Sequence, residues 1–119
     1  PDDPHAYNAL GYTFADRNQR LPEAYELIDK ALKLAPEDAH IVDSMGWVYF
    51  RMGNLAKARE LLERAFALRP EADIGAHLGE VLWAMGERDA ARRIWRQVRA
   101  DEPDNETLSA TLARLQVRL

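Results

Sequence analysis

One residue pattern occurs three times along this chain, and its period decides how the chain can fold. Each copy has a Gly after a large apolar residue, then an Ala and then a Pro. The glycines are Gly11, Gly46 and Gly79, the alanines are Ala24, Ala58 and Ala91, and the prolines are Pro36, Pro70 and Pro103. The Ala and Pro positions recur at intervals of 34 and 33 residues. Apolar residues between them fall at helical spacing. A unit this short cannot bury its apolar face alone, so the units must stack into one all-helical array.

Turn signals divide the array into seven helices. Pro22 suits the first turn of a helix, and Pro36 ends one. Gly53 and Gly86 each separate two helices. The predicted helices span residues 5–16, 22–34, 38–51, 55–68, 72–85, 88–101 and 105–118. They group into repeats at about 4–37, 38–71 and 72–104, followed by a capping helix at 105–118, within a single domain over residues 1–119.

The three repeated glycines lie in the middle of helices, where Gly costs roughly 1 kcal/mol relative to Ala. A cost that recurs at one repeat position indicates that a neighbouring helix approaches closely there. The last helix lacks this Gly and has Leu108, Leu112 and Leu115 on one side, so we expect it to cover the apolar end of the array. Its other side is polar and includes Arg114.

The pattern resembles that of tetratricopeptide repeat (TPR) proteins, whose units of ~34 residues are helix–turn–helix pairs. The resemblance covers the whole chain and implies an all-α fold, a right-handed superhelix of three repeats plus the C-terminal capping helix. Such arrays build binding surfaces and rarely active sites. The sequence therefore predicts a scaffold and not an enzyme.

A narrower resemblance is carried by the segments at residues 10–17, 24–28, 43–49 and 76–83. They resemble the C-terminal repeats of bacterial outer-membrane TPR lipoproteins, such as the adaptor of a periplasmic C-terminal-processing protease. This resemblance implies a periplasmic protein that is anchored to the outer membrane through a lipidated N-terminus outside this chain, with the processing protease as its partner. Because the chain begins at Pro1 on a repeat, we expect a fragment of a longer protein. A cytoplasmic location is the alternative.

The predicted binding surface is the concave groove, which the first helix of each pair lines in TPR arrays. Tyr12 and Trp47 are equivalent residues, one position after the repeated Gly, and their neighbours in the pattern fill the core, so both rings are predicted to face the groove. For Phe50 and Trp83, which fall near the groove, packing between helices is the favoured alternative. The predicted groove residues are Asn8, Tyr12, His40, Asp43, Ser44, Trp47, Arg51, His77, Glu80 and Trp83.

Composition and motifs argue against several other functions. A net charge of −4 disfavours nucleic acid as a partner, and the absence of Cys excludes disulfides and thiolate metal sites. His5, His40 and His77 lack the paired spacing of a metal site, so no metal or cofactor is expected. Phosphate-binding loops and nucleophile motifs are absent from the sequence. No apolar run approaches the ~20 residues that span a bilayer, so we expect no direct membrane insertion by this segment.

Two charged features of the sequence each allow two interpretations. Arg92, Arg96 and Arg99 share one face of the sixth helix, and we favour a solvated face paired with carboxylates such as Glu87 over an anion-binding patch. Some TPR proteins clamp a terminal carboxylate with Lys, Arg and Asn. The corresponding places here lack basic residues and include Asp73, which would repel a carboxylate, so this clamp is not expected.

These features predict a protein–protein interaction scaffold or adaptor in a bacterial envelope assembly. It would bind a partner protein or an extended peptide segment in the concave groove. The alternative is a structural or self-assembly module that packs against the rest of its own chain or against another copy. A third hypothesis places a catalytic site elsewhere in the parent chain, with this domain as its accessory.

Overall fold

The computed structural model describes residues 2–119 and contains seven α-helices and no strand over that range. The helices are α1 (Pro4–Asp16), α2 (Leu21–Leu34), α3 (Ala39–Arg51), α4 (Leu55–Leu68), α5 (Ala72–Ala84), α6 (Arg88–Asp101) and α7 (Glu106–Leu115). The predicted all-helical fold is confirmed, with most bounds within one residue of prediction. Pro1, the first residue of the predicted domain, lies outside the described residues.

Side-chain caps and left-handed residues set the helix ends. The Asp3 carboxylate accepts a hydrogen bond from the backbone N–H of His5 at 2.9 Å, and Asp38 caps α3 in the same way. Gln116 has a φ of 59°, and its backbone N–H donates to carbonyl groups of the last turn of α7. This left-handed residue ends α7 at Leu115, so the predicted extension to residue 118 is wrong.

The helices pack as consecutive pairs, α1 with α2, α3 with α4 and α5 with α6, and the neighbouring pairs stack. The repeated glycines allow the close crossing inside each pair. A Cβ at Gly11 would lie 2.7 Å from Cγ1 of Ile28, and one at Gly46 would lie 2.8 Å from Cγ of Leu62. Real Cβ atoms do not approach neighbours this closely, so the predicted close approach at this repeat position is confirmed.

Helices α1, α3 and α5 follow one another along one side of the array, and α7 packs on α5 as the next helix in that row. The apolar side of α7 is covered, since Leu108 is only 2% exposed. These four helices form the face that carries the site described below. Over residues 2–119, no helix combines the length and the apolar character needed to cross a membrane.

Candidate functional site

Two adjoining pockets lie on the face formed by α1, α3, α5 and α7, and together they are called the groove here. The first pocket has a volume of about 260 Å³ and is lined by Asn8, Ala9, Tyr12, His40, Asp43, Ser44, Asp73, His77 and Thr107. The second has a volume of about 420 Å³ and is lined by Tyr12, Asp16, Trp47, Arg51, His77, Glu80, Thr107, Ala110, Thr111 and Arg114. The structure thus brings together all the predicted groove residues except Trp83.

A chain of hydrogen bonds joins α1, α5 and α3 across the floor of the groove. The Tyr12 hydroxyl lies 3.2 Å from Nε2 of His77, and Nδ1 of His77 lies 2.9 Å from Oδ1 of Asp43. With a neutral imidazole, Tyr12 donates to Nε2 while Nδ1–H donates to Asp43. With an imidazolium, both ring nitrogens donate. His77 and Asp43 are buried, so this polar chain is part of the packed structure as well as of the groove.

The pKa values of this chain reflect burial and nearby carboxylates. Burial alone lowers the pKa of His77, but the charge and hydrogen bond of Asp43, with the charge of Glu80, raise it above its ordinary value. Burial raises the pKa of the Tyr12 hydroxyl, and the charges of Asp16, Asp43 and Asp73 raise it further. Nearby carboxylates therefore raise the pKa of both residues, against the effect of burial at His77 and in addition to it at Tyr12.

Trp47 is buried, with 2% of its surface exposed, so the prediction that its ring is exposed in the groove is wrong. The His77 ring stacks on the indole at a centroid distance of 4.0 Å, and Phe50 stacks on it at 4.8 Å. Because α5 brings His77 onto Trp47, the indole becomes the wall behind the groove. Tyr12, at the equivalent place on α1, is half-buried. Phe50 is also half-buried, as expected from the alternative that it packs between helices.

Trp83 lines neither pocket, so its assignment to the groove is wrong and its alternative, packing between helices, is confirmed. Its ring lies 5.6 Å from that of Trp95 on α6, measured between centroids. The guanidinium carbons of Arg88 and Arg92 lie 4.2 Å and 5.4 Å from the Trp83 centroid. Trp83 therefore belongs to the contact between α5 and the start of α6.

Sequence reasoning missed the contribution of α7 to the groove. Arg114 donates two hydrogen bonds to the Glu80 carboxylate, from Nη2 at 2.6 Å and from Nη1 at 2.9 Å. Thr107, Ala110 and Thr111 lie beside it in the second pocket. The one indication in the sequence was Arg114, a cationic residue on the side of α7 that we expected to face solvent. Glu80 is buried, and a buried carboxylate needs a cationic partner.

Carboxylates outnumber cations in the groove. The lining residues include four carboxylates and two guanidinium groups, which gives the groove a formal charge of −2 when His is neutral. The carboxylates are Asp16, Asp43, Asp73 and Glu80, and the guanidinium groups are Arg51 and Arg114. Besides the Glu80–Arg114 pair, Arg51 Nη2 lies 3.7 Å from Oδ1 of Asp16. Asp73 accepts a hydrogen bond from the neutral amide of Asn105 at 2.9 Å.

Three buried side-chain polar atoms in residues 2–119 have no hydrogen-bond partner: Oδ1 of Asn8, Nε1 of Trp47 and Nε of Arg51. All three belong to residues that line the groove. Buried polar groups are otherwise almost always paired, because an unpaired group loses its hydration without compensation. The unpaired atoms of this structure are therefore concentrated on one surface.

Tetratricopeptide repeat models of protein families match this chain over residues 2–71 and again over residues 49–115. The chain belongs to the tetratricopeptide repeat family. TPR domains commonly mediate protein interactions, and the seven described helices agree with such a solenoid.

Among curated proteins, the chain is 54% identical over 80 residues to a TPR repeat-containing protein of Pseudomonas aeruginosa. That match covers 67% of this chain but only 14% of the relative's length. A weaker similarity, 29% identity over 101 residues, links it to the human protein O-mannosyl-transferase TMTC1, covering 78% of this chain and 11% of that protein.

Solved TPR structures share the fold. A thermophilic TPR protein of Thermus thermophilus superposes with a TM-score of 0.81 at 23% identity, over 98% of this chain and 66% of that one. The first TPR of Spaghetti (RPAP3), bound to the HSP90 peptide SRMEEVD, gives a TM-score of 0.78 at 18% identity, over 95% and 92% of the two chains. The Sgt2 TPR domain of Aspergillus fumigatus gives 0.78 at 19% identity, over 95% and 76%.

The three His side chains of this TPR domain face different carboxylates. His5 lies 4.0 Å from Asp38, His40 lies 3.0 Å from Glu71, and His77 pairs with Asp43. The part of the chain that the structure describes contains no group of three residues arranged to hold a metal ion.

The arginines of α6 form no ion pair within residues 2–119, so their predicted pairing with nearby carboxylates is wrong. Glu87 instead binds Arg59 on α4 at 2.6 Å. Arg92 donates to the backbone carbonyl of Arg118 at 2.8 Å. Arg96 and Arg99 are exposed on the outer face, as predicted.

Proposed function

We propose that this TPR domain is an interaction scaffold that holds an extended peptide segment of a partner protein in the groove. The observation that supports the proposal is the continuity of the groove: its two pockets, of about 260 and 420 Å³, share Tyr12, His77 and Thr107. Together they form one depression along α1, α3, α5 and α7, which an extended segment can follow. The guanidinium groups of Arg51 and Arg114 line the second pocket and can donate to backbone carbonyl groups of such a segment.

Fold similarity supports a peptide as the occupant. The RPAP3 domain, which superposes over nearly all of this chain, was solved with an HSP90 peptide bound. Tyr12 adds a half-buried aromatic ring at the centre of the groove, and such rings are enriched among residues that dominate binding energy.

Nuclear magnetic resonance mapping tests this proposal. Peptides selected from a random library against the chain should shift backbone amides of α1, α3, α5 and α7 and leave those of α2, α4 and α6 unchanged. Tyr12→Ala should weaken binding by about tenfold or more, because it removes a central aromatic contact. Arg96→Ala, on the outer face, is the matched control and should change affinity little. Shifts confined to the outer helices would move the binding surface away from the groove.

We extend the proposal to an adaptor in a bacterial envelope assembly with a periplasmic processing protease as partner. Support comes from the narrower sequence resemblance at residues 10–17, 24–28, 43–49 and 76–83. In this proposal the chain comprises three repeats, at 4–37, 38–71 and 72–104, of a longer lipidated protein. Calorimetric titration of the chain with the purified protease, with Tyr12→Ala alongside, would show no heat of binding if the assignment is wrong.

A self-assembly module is the second candidate function, and one observation favours it. Leu10 is 50% exposed, whereas the equivalent Met45 and Leu78 are 4% and 3% exposed because the preceding helix pair covers them. The face of α1 that carries Leu10 therefore offers apolar area to another packed surface. Sedimentation over a range of protein concentrations would detect a second copy there, and Leu10→Ser should abolish such association.

A further inference from the structure

We propose that the segment bound in the groove is basic, and that a Lys or Arg side chain of the partner occupies the first pocket beside Asp73 and Tyr12. This inference rests on the proposed function, since it names the chemistry of the peptide that the groove accepts. Two independent observations carry it: the distribution of charge among the groove residues, and the continuity of the first pocket with the second.

Two of the four groove carboxylates have an Arg partner on the chain, and a third is paired with a His. Asp43 faces His77, Glu80 faces Arg114, and Asp16 faces Arg51. Asp73 is the exception, because its one described partner is the neutral side-chain amide of Asn105. It is exposed, and no Lys or Arg lines the first pocket with it. Within residues 2–119, the Asp73 carboxylate therefore has no Lys or Arg partner and is offset only by the N-terminal end of α5.

Tyr12 gives the same pocket an aromatic wall. A cation within about 6 Å of a ring centroid is attracted to the π face, and the aliphatic stem of Lys or Arg packs on the ring. The chain already uses this contact elsewhere, with Lys30 Nζ 4.4 Å from the Tyr7 centroid. Burial raises the pKa of the Tyr12 hydroxyl, and the charges of Asp16, Asp43 and Asp73 raise it further, so these carboxylates contribute a negative potential that favours a cation there.

The adjoining second pocket indicates that the cation belongs to a peptide. The second pocket shares Tyr12, His77 and Thr107 with the first and continues along Trp47 to Arg51 and Arg114. Guanidinium groups only donate hydrogen bonds, so their complement is an acceptor such as a backbone carbonyl. At about 260 Å³ the first pocket lies below the ~300–1,000 Å³ typical of sites for whole small molecules. It has the size for one side chain, with the backbone continuing along the second pocket.

Selection of short random peptides against the whole chain, followed by affinity measurement, tests the inference. The enriched peptides should contain Lys or Arg, and replacing that residue by Glu should weaken binding at least about tenfold, since like charges at an interface are strongly unfavourable. Asp73→Lys should cause a similar loss for the basic peptide and restore binding of its Glu counterpart. Asp101→Lys, an exposed residue of α6 that lines neither pocket, makes the same change in net charge and should leave affinity within about twofold.

Asp73 also accepts the Asn105 hydrogen bond next to α7, so Asp73→Asn serves as a second variant that keeps the size and hydrogen-bonding capacity of the side chain. It should melt like the wild type and still lose affinity for the basic peptide. Enriched peptides without basic residues, or binding that ignores both Asp73 variants, would overturn this inference and leave the peptide-binding scaffold intact. Failure to enrich any peptide would overturn the proposed function together with it.

Discussion

The first and second helix pairs carry matching residues at matching repeat positions, yet they bury them differently. Leu10 and Met45 precede the repeated Gly, and they are 50% and 4% exposed. Tyr12 and Trp47 follow it, and Tyr12 is half-buried while Trp47 is 2% exposed. The difference arises because α3 packs against helices on both of its sides, whereas α1 has a neighbouring pair on one side only.

The contrast shows that a repeat position determines the direction in which a side chain points, while the neighbouring helices determine how much of it is buried. Trp47 points toward the groove, as its register indicates, and His77 from the next pair then closes over it. The same Tyr12–His77–Asp43 chain links the two pairs across the groove. Mutations at equivalent repeat positions should therefore separate the effect of side-chain direction from the effect of burial.

The largest expected difference is between Trp47→Ala and Tyr12→Ala. Trp47→Ala removes a buried indole and should lower the free energy of unfolding by about 3–5 kcal/mol. Tyr12→Ala removes a half-buried ring and one hydrogen bond and should cost roughly 1–2 kcal/mol. Urea denaturation of both variants measures the two losses. Equal losses would show that the two helix pairs are packed alike and that the contrast in burial has no energetic consequence.

A second pair of variants tests a property that the two helix pairs should share, the close crossing of their helices at the repeated Gly. Gly11→Ala and Gly46→Ala each place a Cβ within 2.7 or 2.8 Å of a side chain on the partner helix. Overpacking the crossing should cost about 1–3 kcal/mol at each site, and the roughly 1 kcal/mol that Ala gains over Gly in a helix offsets part of it. The net loss in free energy of unfolding should therefore be up to about 2 kcal/mol and similar at the two sites. A loss at Gly46 with none at Gly11 would mean that α1 and α2 can move apart where α3 and α4 cannot.

The pH dependence of stability tests the residue that connects the two pairs. The pKa of His77 in the folded state is above its ordinary value of about 6.5, so protonation stabilises the fold. That stabilisation is fully present below about pH 6.5 and is lost as pH rises through the raised folded pKa. Each pKa unit of difference corresponds to about 1.4 kcal/mol.

The measurement compares the free energy of unfolding of wild type and His77→Gln between about pH 5 and pH 9, the range that brackets an ordinary His. The advantage of wild type should shrink as pH rises. His5→Gln is the control, because the His5 side chain is 71% exposed. An advantage that grows with pH would mean that burial, and not Asp43, controls the titration of His77.

The sequence was sufficient for the fold because its signals are local. The repeated Gly, the turn glycines and the prolines fix where helices cross and end, and these features were recovered to within a residue at most bounds. Gln116 was missed because a left-handed residue other than Gly or Asn leaves little trace in sequence.

The groove was predicted less completely because its composition depends on contacts between distant helices. Register alone indicated which side of the first helix of each pair faces the groove. Nine of the ten residues predicted on that basis line the two pockets. It could not show that His77 covers Trp47, that Arg114 reaches Glu80 from α7, or that Trp83 packs beneath Arg88. Each of these contacts joins side chains on different helices, so it depends on how the helices pack and not on the register of a single helix.

The smallest expected effect is at Leu10, and it distinguishes an open surface from a covered one. Leu10→Ser should lower the free energy of unfolding by about 1 kcal/mol, since only half of the side chain is buried. Met45→Ser at the equivalent buried place should cost about 3 kcal/mol, because it leaves a cavity and buries a hydroxyl. Thermal melts at low and high protein concentration measure both. If Leu10→Ser lowers the melting temperature more in concentrated than in dilute samples, a second copy covers this face in the wild type. A loss as large as that of Met45→Ser at every concentration would mean that α1 is as tightly packed as α3, which would remove the contrast between the two pairs.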